Sequence, residues 1–180
     1  MPIRALALLL PLIAATPALA HGGHAESFGA GIAHPLLGLD HLVAMVAIGL
    51  WAAQRQMIAL PLGFLAGMAG GIALGLGFEL PSVVEHGVAG TLVLIGLAVA
   101  LAVRLPAMTV VAAATVFGLL HGAVHGGEIT GPAAMTGAGM LLGSALLHGV
   151  GYAAGSAAAQ RLTQAGGAAV AAVGVALLVM

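Results

Sequence analysis

The sequence predicts an all-α polytopic membrane protein, with six transmembrane helices that follow a cleaved signal peptide. Composition gives the first two observations: 62% of the residues are hydrophobic and only 5% are charged. An ordinary soluble domain is about 25% charged, so the lipid bilayer is the expected surroundings of this chain. The third observation is a series of six apolar stretches, because crossing the hydrocarbon core takes about 20 apolar residues.

Residues 1–20 have the three parts of a secretory signal peptide. Arg4 provides the positive start, Ala5–Ile13 provides the apolar middle, and Ala18–Ala20 provides a small-residue cleavage pattern. The short apolar core argues against the alternative, which is an uncleaved first helix. Cleavage would leave residues 21–34 as a short external tail that contains histidines.

Residues 35–180 are predicted to form one six-helix transmembrane domain without a soluble domain. The six stretches are Pro35–Ala53, Met57–Phe78, Gly87–Val103, Leu105–Leu120, Ala133–Ala159 and Ala165–Met180. The fourth and sixth are short at 16 residues, but they can extend toward His125 and begin near Leu162. The fifth, at 27 residues, is long enough to tilt or to be interrupted near Gly149 and Gly151.

The arginines that follow the signal peptide predict the orientation. Arg55, Arg104 and Arg161 follow the first, third and fifth stretches, so all three lie on the same side. Because cytoplasmic loops carry the excess of positive charge, this side is expected to be cytoplasmic. The mature N-terminus and Met180 are then both outside, which agrees with a secretory signal. The expected location is the bacterial inner membrane.

The first predicted stretch carries an acid and a histidine deep in apolar sequence. If its helix begins at Pro35, Asp40 and His41 lie about 8–9 Å along it. His34 and His41, seven residues apart, would share a face, and Met45 would follow one turn later. Such a set of nitrogen, oxygen and sulfur atoms is typical of a divalent-metal site. In the alternative, Asp40 caps a neighbouring helix and His41 bonds a backbone carbonyl.

A second cluster lies at the end of the fourth stretch. His121 and His125 are four residues apart and Glu128 follows three later, so a continuing helix would align all three side chains. Alternatively, Gly126-Gly127 unwinds the helix and frees backbone carbonyls as further ligands. The simplest interpretation of this cluster is a polar loop at the membrane surface. That interpretation does not explain why two clusters of the same ligand type lie on the same side of the membrane.

Other polar residues are weaker candidates for the metal path. Glu85 and His86 directly precede the third stretch, where each alone is typical of an interfacial charge. His148 lies in the middle of the fifth stretch. It is either a core histidine bonded to a carbonyl or a metal ligand deeper in the path. His21 and His24 would form a weak external metal-capturing tail.

Absent motifs and residue types exclude several functions. Four arginines and no lysine provide no basic face for nucleic acid. The ATP-binding signature GxxxxGK[ST] and the metalloprotease signature HExxH are absent. No cysteine is present, so Ni, Co, Zn or Mn fits better than Cu(I). We therefore expect a permease, not an enzyme, with no permanently bound cofactor. An intramembrane metalloenzyme, sensor or chaperone that holds one ion is the alternative.

Two segments resemble the signature motifs of the HupE/UreJ family, small bacterial membrane permeases linked to nickel supply for hydrogenase and urease, with some members associated with cobalt. The segments are His34-Pro35-x-x-Gly38-x-Asp40-His41-x-x-x-Met45 and His121-Gly122-x-x-His125-Gly126-x-Glu128. The resemblance implies uptake of Ni²⁺ or Co²⁺. It assigns the metal to His34, Asp40, His41, His121, His125 and Glu128.

Overall fold

The computed structural model describes residues 27–78 and 80–180. The predicted signal peptide and the histidines at 21 and 24 lie outside these residues. The described residues form seven α-helices. In chain order they are α1 (Phe28–Leu37), α2 (Leu39–Arg55), α3 (Ala59–Gly75), α4 (Ser82–Ala100), α5 (Ala107–Glu128), α6 (Ala133–Ala157) and α7 (Gln160–Leu178).

Helix α1 begins earlier than the sequence predicted. The Ser27 hydroxyl accepts a hydrogen bond from the backbone N–H of Ala30 at 3.2 Å. Serine is among the residues that most favour this capping position, so the helix begins at Phe28. The predicted start at Pro35 is therefore wrong, and α1 takes in residues 28–34 of the predicted tail. Pro35 lies inside the helix instead.

The chain breaks sharply between α1 and α2. Gly38 has extended backbone angles, φ −87° and ψ 118°, and the two helices meet at 86°. Pro35 lies inside α1, which continues to Leu37, so the break is at Gly38 and not at the proline. The prediction of one helix with His34 and His41 on the same face is wrong. His41 lies in the first turn of α2, not 8–9 Å along a helix.

Several of the helices are suited to crossing a membrane. Among the described residues, α4, α5, α6 and α7 are each long and apolar enough, and the bent pair α1–α2 qualifies when its two parts are taken together. Helix α3 is apolar but shorter, at 17 residues. The all-helical class with several apolar spans is confirmed, and the count of six stays a prediction.

Two expected boundaries are confirmed, and two expected interruptions are not found. Helix α5 continues past His125 to Glu128, so Gly126-Gly127 does not unwind it. Helix α7 begins at Gln160, close to the predicted start near Leu162. Helix α6 runs without a break through Gly149 and Gly151. The long apolar stretch is therefore one continuous helix.

Glycines bring the helix backbones into contact, most extensively between α3 and α5. On each helix they recur every four residues and face the backbone of the other helix. They are Gly67, Gly71 and Gly75 on α3, and Gly118, Gly122 and Gly126 on α5. This spacing is the small-xxx-small pattern of membrane helices, which permits close approach. Similar glycine contacts join α6 to α1 and α2, and α4 to α7.

Two arginines, Arg55 and Arg104, lie at the same end of the helices. The Arg55 guanidinium donates to the carbonyl oxygens of Val103 at 3.1 Å and Leu105 at 2.7 Å, in the loop between α4 and α5. Arg55 and Arg104 line one cavity of about 180 Å³, together with Gln160 at the start of α7. The two motif segments meet elsewhere, where α1 reaches the C-terminal end of α5.

Candidate metal site

The two motifs meet in a cluster of three side chains from α1 and α5, here named the carboxylate cluster: His34, His125 and Glu128. The Glu128 Oε2 atom lies 2.9 Å from His34 Nε2 and 3.3 Å from His125 Nδ1. Within the described ranges, these residues each offer a ligand atom within 4.8 Å of the other two. Two imidazoles and a carboxylate are suitable ligands for a divalent transition metal.

Asp40 fixes the ring of the next residue, His41. The Asp40 Oδ1 atom lies 2.8 Å from His41 Nδ1. A carboxylate only accepts hydrogen bonds, so the ring proton lies on Nδ1 and neutral His41 has its lone pair on Nε2. That Nε2 atom is buried, with no partner among residues 27–78 and 80–180. These contacts differ from both alternatives, the helix cap and the bond to a backbone carbonyl.

Thr91 on α4 likewise fixes the orientation of the His121 ring. The sequence alone did not identify Thr91. The Thr91 hydroxyl donates to the carbonyl oxygen of Val88 at 2.7 Å and lies 2.9 Å from His121 Nε2. Because the one hydroxyl proton is used, the oxygen accepts from His121 Nε2–H, which leaves the lone pair on Nδ1. The signal in the sequence was an isolated hydroxyl in an apolar helix.

Three buried histidines, named here the histidine triad, are His41, His121 and His125. The ring of His41 lies 4.2 Å from that of His125 and 5.5 Å from that of His121. In each ring one nitrogen is bonded, and the other is buried with no partner in the described part of the chain. In many metal-binding histidines a neighbour bonds one nitrogen and leaves the other free for the ion, and each ring of the triad has this pattern. Among the described residues, however, only the carboxylate cluster brings ligand atoms of three residues within 4.8 Å of one another.

The charges around the histidines also suit a cation. Asp40 and Glu128 each contribute one negative charge when ionised, and neutral histidines contribute none. Bringing a divalent cation out of water requires compensating charge, which two carboxylates supply. The site therefore combines neutral nitrogen ligands with the charge that a divalent ion needs.

Comparison with known proteins identifies the family of this chain. The family model described as HupE / UreJ protein matches residues 7–177, nearly the whole chain. The chain belongs to the HupE/UreJ family. It is also 40% identical over 130 residues to Protein HupE of Rhizobium leguminosarum bv. viciae, a match that covers 68% of each chain. No solved structure matches significantly. The resemblance drawn from the two HupE/UreJ motifs is thus confirmed.

The weaker candidates of this HupE/UreJ chain differ in burial and in position relative to the carboxylate cluster. Met45 is fully buried in the core one turn after His41. Glu85 and His86 are exposed near the start of α4, outside the carboxylate cluster. His148 is buried in α6.

Phe64 on α3 was also missed in the sequence. Its ring lies 5.4 Å from the ring of His121 and 5.3 Å from that of His148. Phe64 therefore connects the histidine triad to the buried histidine of α6. An apolar ring within an apolar helix provides no signal for such a position.

Proposed function

We propose that this HupE/UreJ protein is a permease that carries Ni²⁺, or alternatively Co²⁺, across the bacterial inner membrane. Transport is secondary or facilitated, since the sequence has no ATP-binding signature. The ion supplies the assembly of a metalloenzyme, as the family resemblance implies for hydrogenase and urease. The observation that carries the proposal is the carboxylate cluster, in which ligands from both motifs meet.

The exposure of the carboxylate cluster favours it as the place of entry. The exposed fraction of the side chain falls from 38% for Glu128 to 15% for His34 and 0% for His125. An incoming hydrated ion meets the carboxylate first and exchanges water molecules for imidazole nitrogens as it moves inward. Glu128 therefore attracts the cation, and the histidines replace its water.

His125 belongs to both groups, so we treat the two groups as one continuous metal site. Its ring lies 4.9 Å from that of His34 and 4.2 Å from that of His41. Because this ligand is shared, an ion within the site exchanges ligands without losing all of them at once, and the residues of both motifs act as a unit.

The choice of metal rests on the ligands and on the family. Imidazole and carboxylate ligands suit Ni²⁺, Co²⁺, Zn²⁺ and Mn²⁺, and the absence of cysteine disfavours Cu(I). Nickel and cobalt come from the HupE/UreJ resemblance. Competition among these four ions during uptake distinguishes them.

Uptake of labelled metal by the purified full chain in lipid vesicles tests the proposed function. A permease equilibrates many Ni²⁺ ions per protein molecule, and vesicles without protein provide the background. An intramembrane sensor, chaperone or metalloenzyme would retain about one ion per molecule. Saturation at that ratio would overturn the proposal.

A further inference from the structure

One face of α6 carries polar and sulfur-containing side chains that belong to neither motif. Thr136, Met140, Ser144 and His148 follow one another at intervals of four residues, which places them on the same face of the helix. All four are buried, with exposed fractions of 0%, 0%, 0% and 3%. Buried polar groups in an apolar helix need a partner.

Their polar atoms have no such partner within the part of the chain that the structure describes. Both ring nitrogens of His148 and the hydroxyls of Ser144 and Thr136 are buried without a hydrogen bond. A buried polar group that loses its hydrogen bond costs about 1–3 kcal/mol. Lipid cannot supply the missing bonds. These groups are therefore available to bind a polar or charged ligand.

Helix α6 runs inward from the level of the carboxylate cluster. At its outer end, the carbonyl of Thr136 contacts Gly31, one turn before His34 in α1. His148 lies 12 residues further along α6, about 18 Å at 1.5 Å per residue. Its carbonyl contacts Gly49 of α2, well past His41 in that helix.

One aromatic ring contacts both His148 and the histidine triad. The ring of Phe64 contacts His121 on one side and His148 on the other, at 5.4 and 5.3 Å between ring centres. Through their common contact with Phe64, His148 adjoins the triad without belonging to it.

We propose that His148 and Ser144 form an inner transit site for the divalent cation bound by the motif residues. This rests on the proposed function as a permease. His148 supplies a nitrogen ligand, and the Ser144 hydroxyl, one turn away, holds the ion or one of its water molecules. Neither side chain carries the negative charge of Asp40 or Glu128, so the ion binds more weakly here. Weak binding at the second of two sites favours release from the path.

Comparing binding with transport in His148→Leu and Ser144→Ala tests the inner site. Equilibrium binding of Ni²⁺ to the purified full chain reports the strong motif site, and initial uptake into vesicles reports the whole path. His148→Leu is expected to keep the dissociation constant within about twofold while uptake falls at least tenfold. Ser144→Ala should show the same separation with a smaller loss of uptake.

Thr115→Val is the matched control for the loss of a hydroxyl. The Thr115 hydroxyl donates to the carbonyl of Val111 in its own helix at 2.9 Å, a bond that involves no histidine. This variant should leave binding and uptake unchanged. Asp40→Asn is the opposite reference, because it should lose both.

Two results would overturn the inner site. Normal uptake by both variants would show that the ion does not use these groups. Ser144→Ala removes one oxygen and leaves the helix intact. If this variant lost Ni²⁺ binding as well as uptake, Ser144 would belong to the motif site itself. Retained binding shows that a variant is folded. Failure of the wild type to transport would instead overturn the proposed function.

Discussion

At the scale of single residues, each histidine of the triad depends on one neighbour that orients it. Asp40 bonds His41, Thr91 bonds His121, and Glu128 lies beside His125. A neutral imidazole exists as two tautomers, and only one of them presents a lone pair in the required direction. Thr91, which is not itself a proposed ligand, is therefore expected to affect metal affinity without touching the ion.

The Thr91 hydroxyl provides the clearest test of this dependence. Thr91→Val keeps the shape of the side chain but removes the acceptor for His121 Nε2–H. We expect Ni²⁺ affinity to fall about 10-fold or more, the usual effect of losing such a partner. Equilibrium binding to the purified protein measures it.

Two further variants control for packing at Thr91. Thr91→Ser retains the hydroxyl and should restore most of the affinity, whereas Thr115→Val should have no effect. Nitrogen NMR shifts of His121 should show a change of tautomer only in Thr91→Val. Equal affinity in Thr91→Val and the wild type would exclude an orienting role.

At the scale of helices, the break between α1 and α2 places the first motif. Because the two parts meet at 86°, His34 reaches Glu128 while His41 enters the triad from the start of α2. A single straight helix would place these histidines about 10 Å apart along its axis. The bend therefore determines how one motif supplies ligands to two adjoining groups.

Gly38 at this break leaves space for the Asp40–His41 pair. A Cβ atom on Gly38 would lie 2.8 Å from His41 Nδ1 and 3.0 Å from Asp40 Oδ1. Gly38→Ala should therefore displace the pair and lower Ni²⁺ affinity by about 10-fold, in the range found for lost orienting partners. Gly29→Ala is the control, because its Cβ would meet nothing within 4 Å. Equal affinities in the two variants would contradict this role for Gly38.

The glycine contacts between α3 and α5 predict a different effect, on stability. A Cβ on Gly71 would overlap the carbonyl of Leu119, so Gly71→Ala should destabilise the protein by about 1–3 kcal/mol. Gly90→Ala, in open space on α4, should be neutral or stabilising by up to about 1 kcal/mol, since alanine favours helix. Thermal unfolding in detergent compares them, and equal melting temperatures would refute the packing argument.

Much of this arrangement was predictable from the sequence, because apolar length and ligand spacing are local properties. The alignment of His121, His125 and Glu128 follows from helical periodicity and is present in α5. The bend at Gly38 was not predicted, because a single glycine within an apolar run does not by itself signal a break in a helix. Thr91 and Phe64 were missed for a different reason, since their importance comes from contacts between helices distant in sequence.

At the scale of the whole molecule, the arginines and the ligands lie in different regions of the helix assembly. The Arg55 contacts with the α4–α5 loop and the shared cavity with Arg104 place these positive charges at one end. The carboxylate cluster lies where α5 ends. If the arginine end is cytoplasmic, the cluster faces outside, as uptake requires.

Reporter fusions test this orientation. Fusions after Arg55, Arg104 and Arg161 should report a cytoplasmic location, and a fusion after Met180 should report an external one. The alternation follows from six spans with both ends outside. An external reporter at Arg104 would reverse the orientation and place the carboxylate cluster on the wrong side for uptake.

The central claim is that the two motifs build one metal site, and nickel uptake by Asp40→Asn, Glu128→Gln and the double variant tests it most directly. Each substitution keeps the size of the side chain but removes its negative charge. We predict that each single variant, at normal amounts in the membrane, loses at least tenfold in initial uptake. The double variant should lose little more, because groups that act as a unit are strongly non-additive. Near-normal uptake by Asp40→Asn, or defects that multiply in the double variant, would contradict the single site.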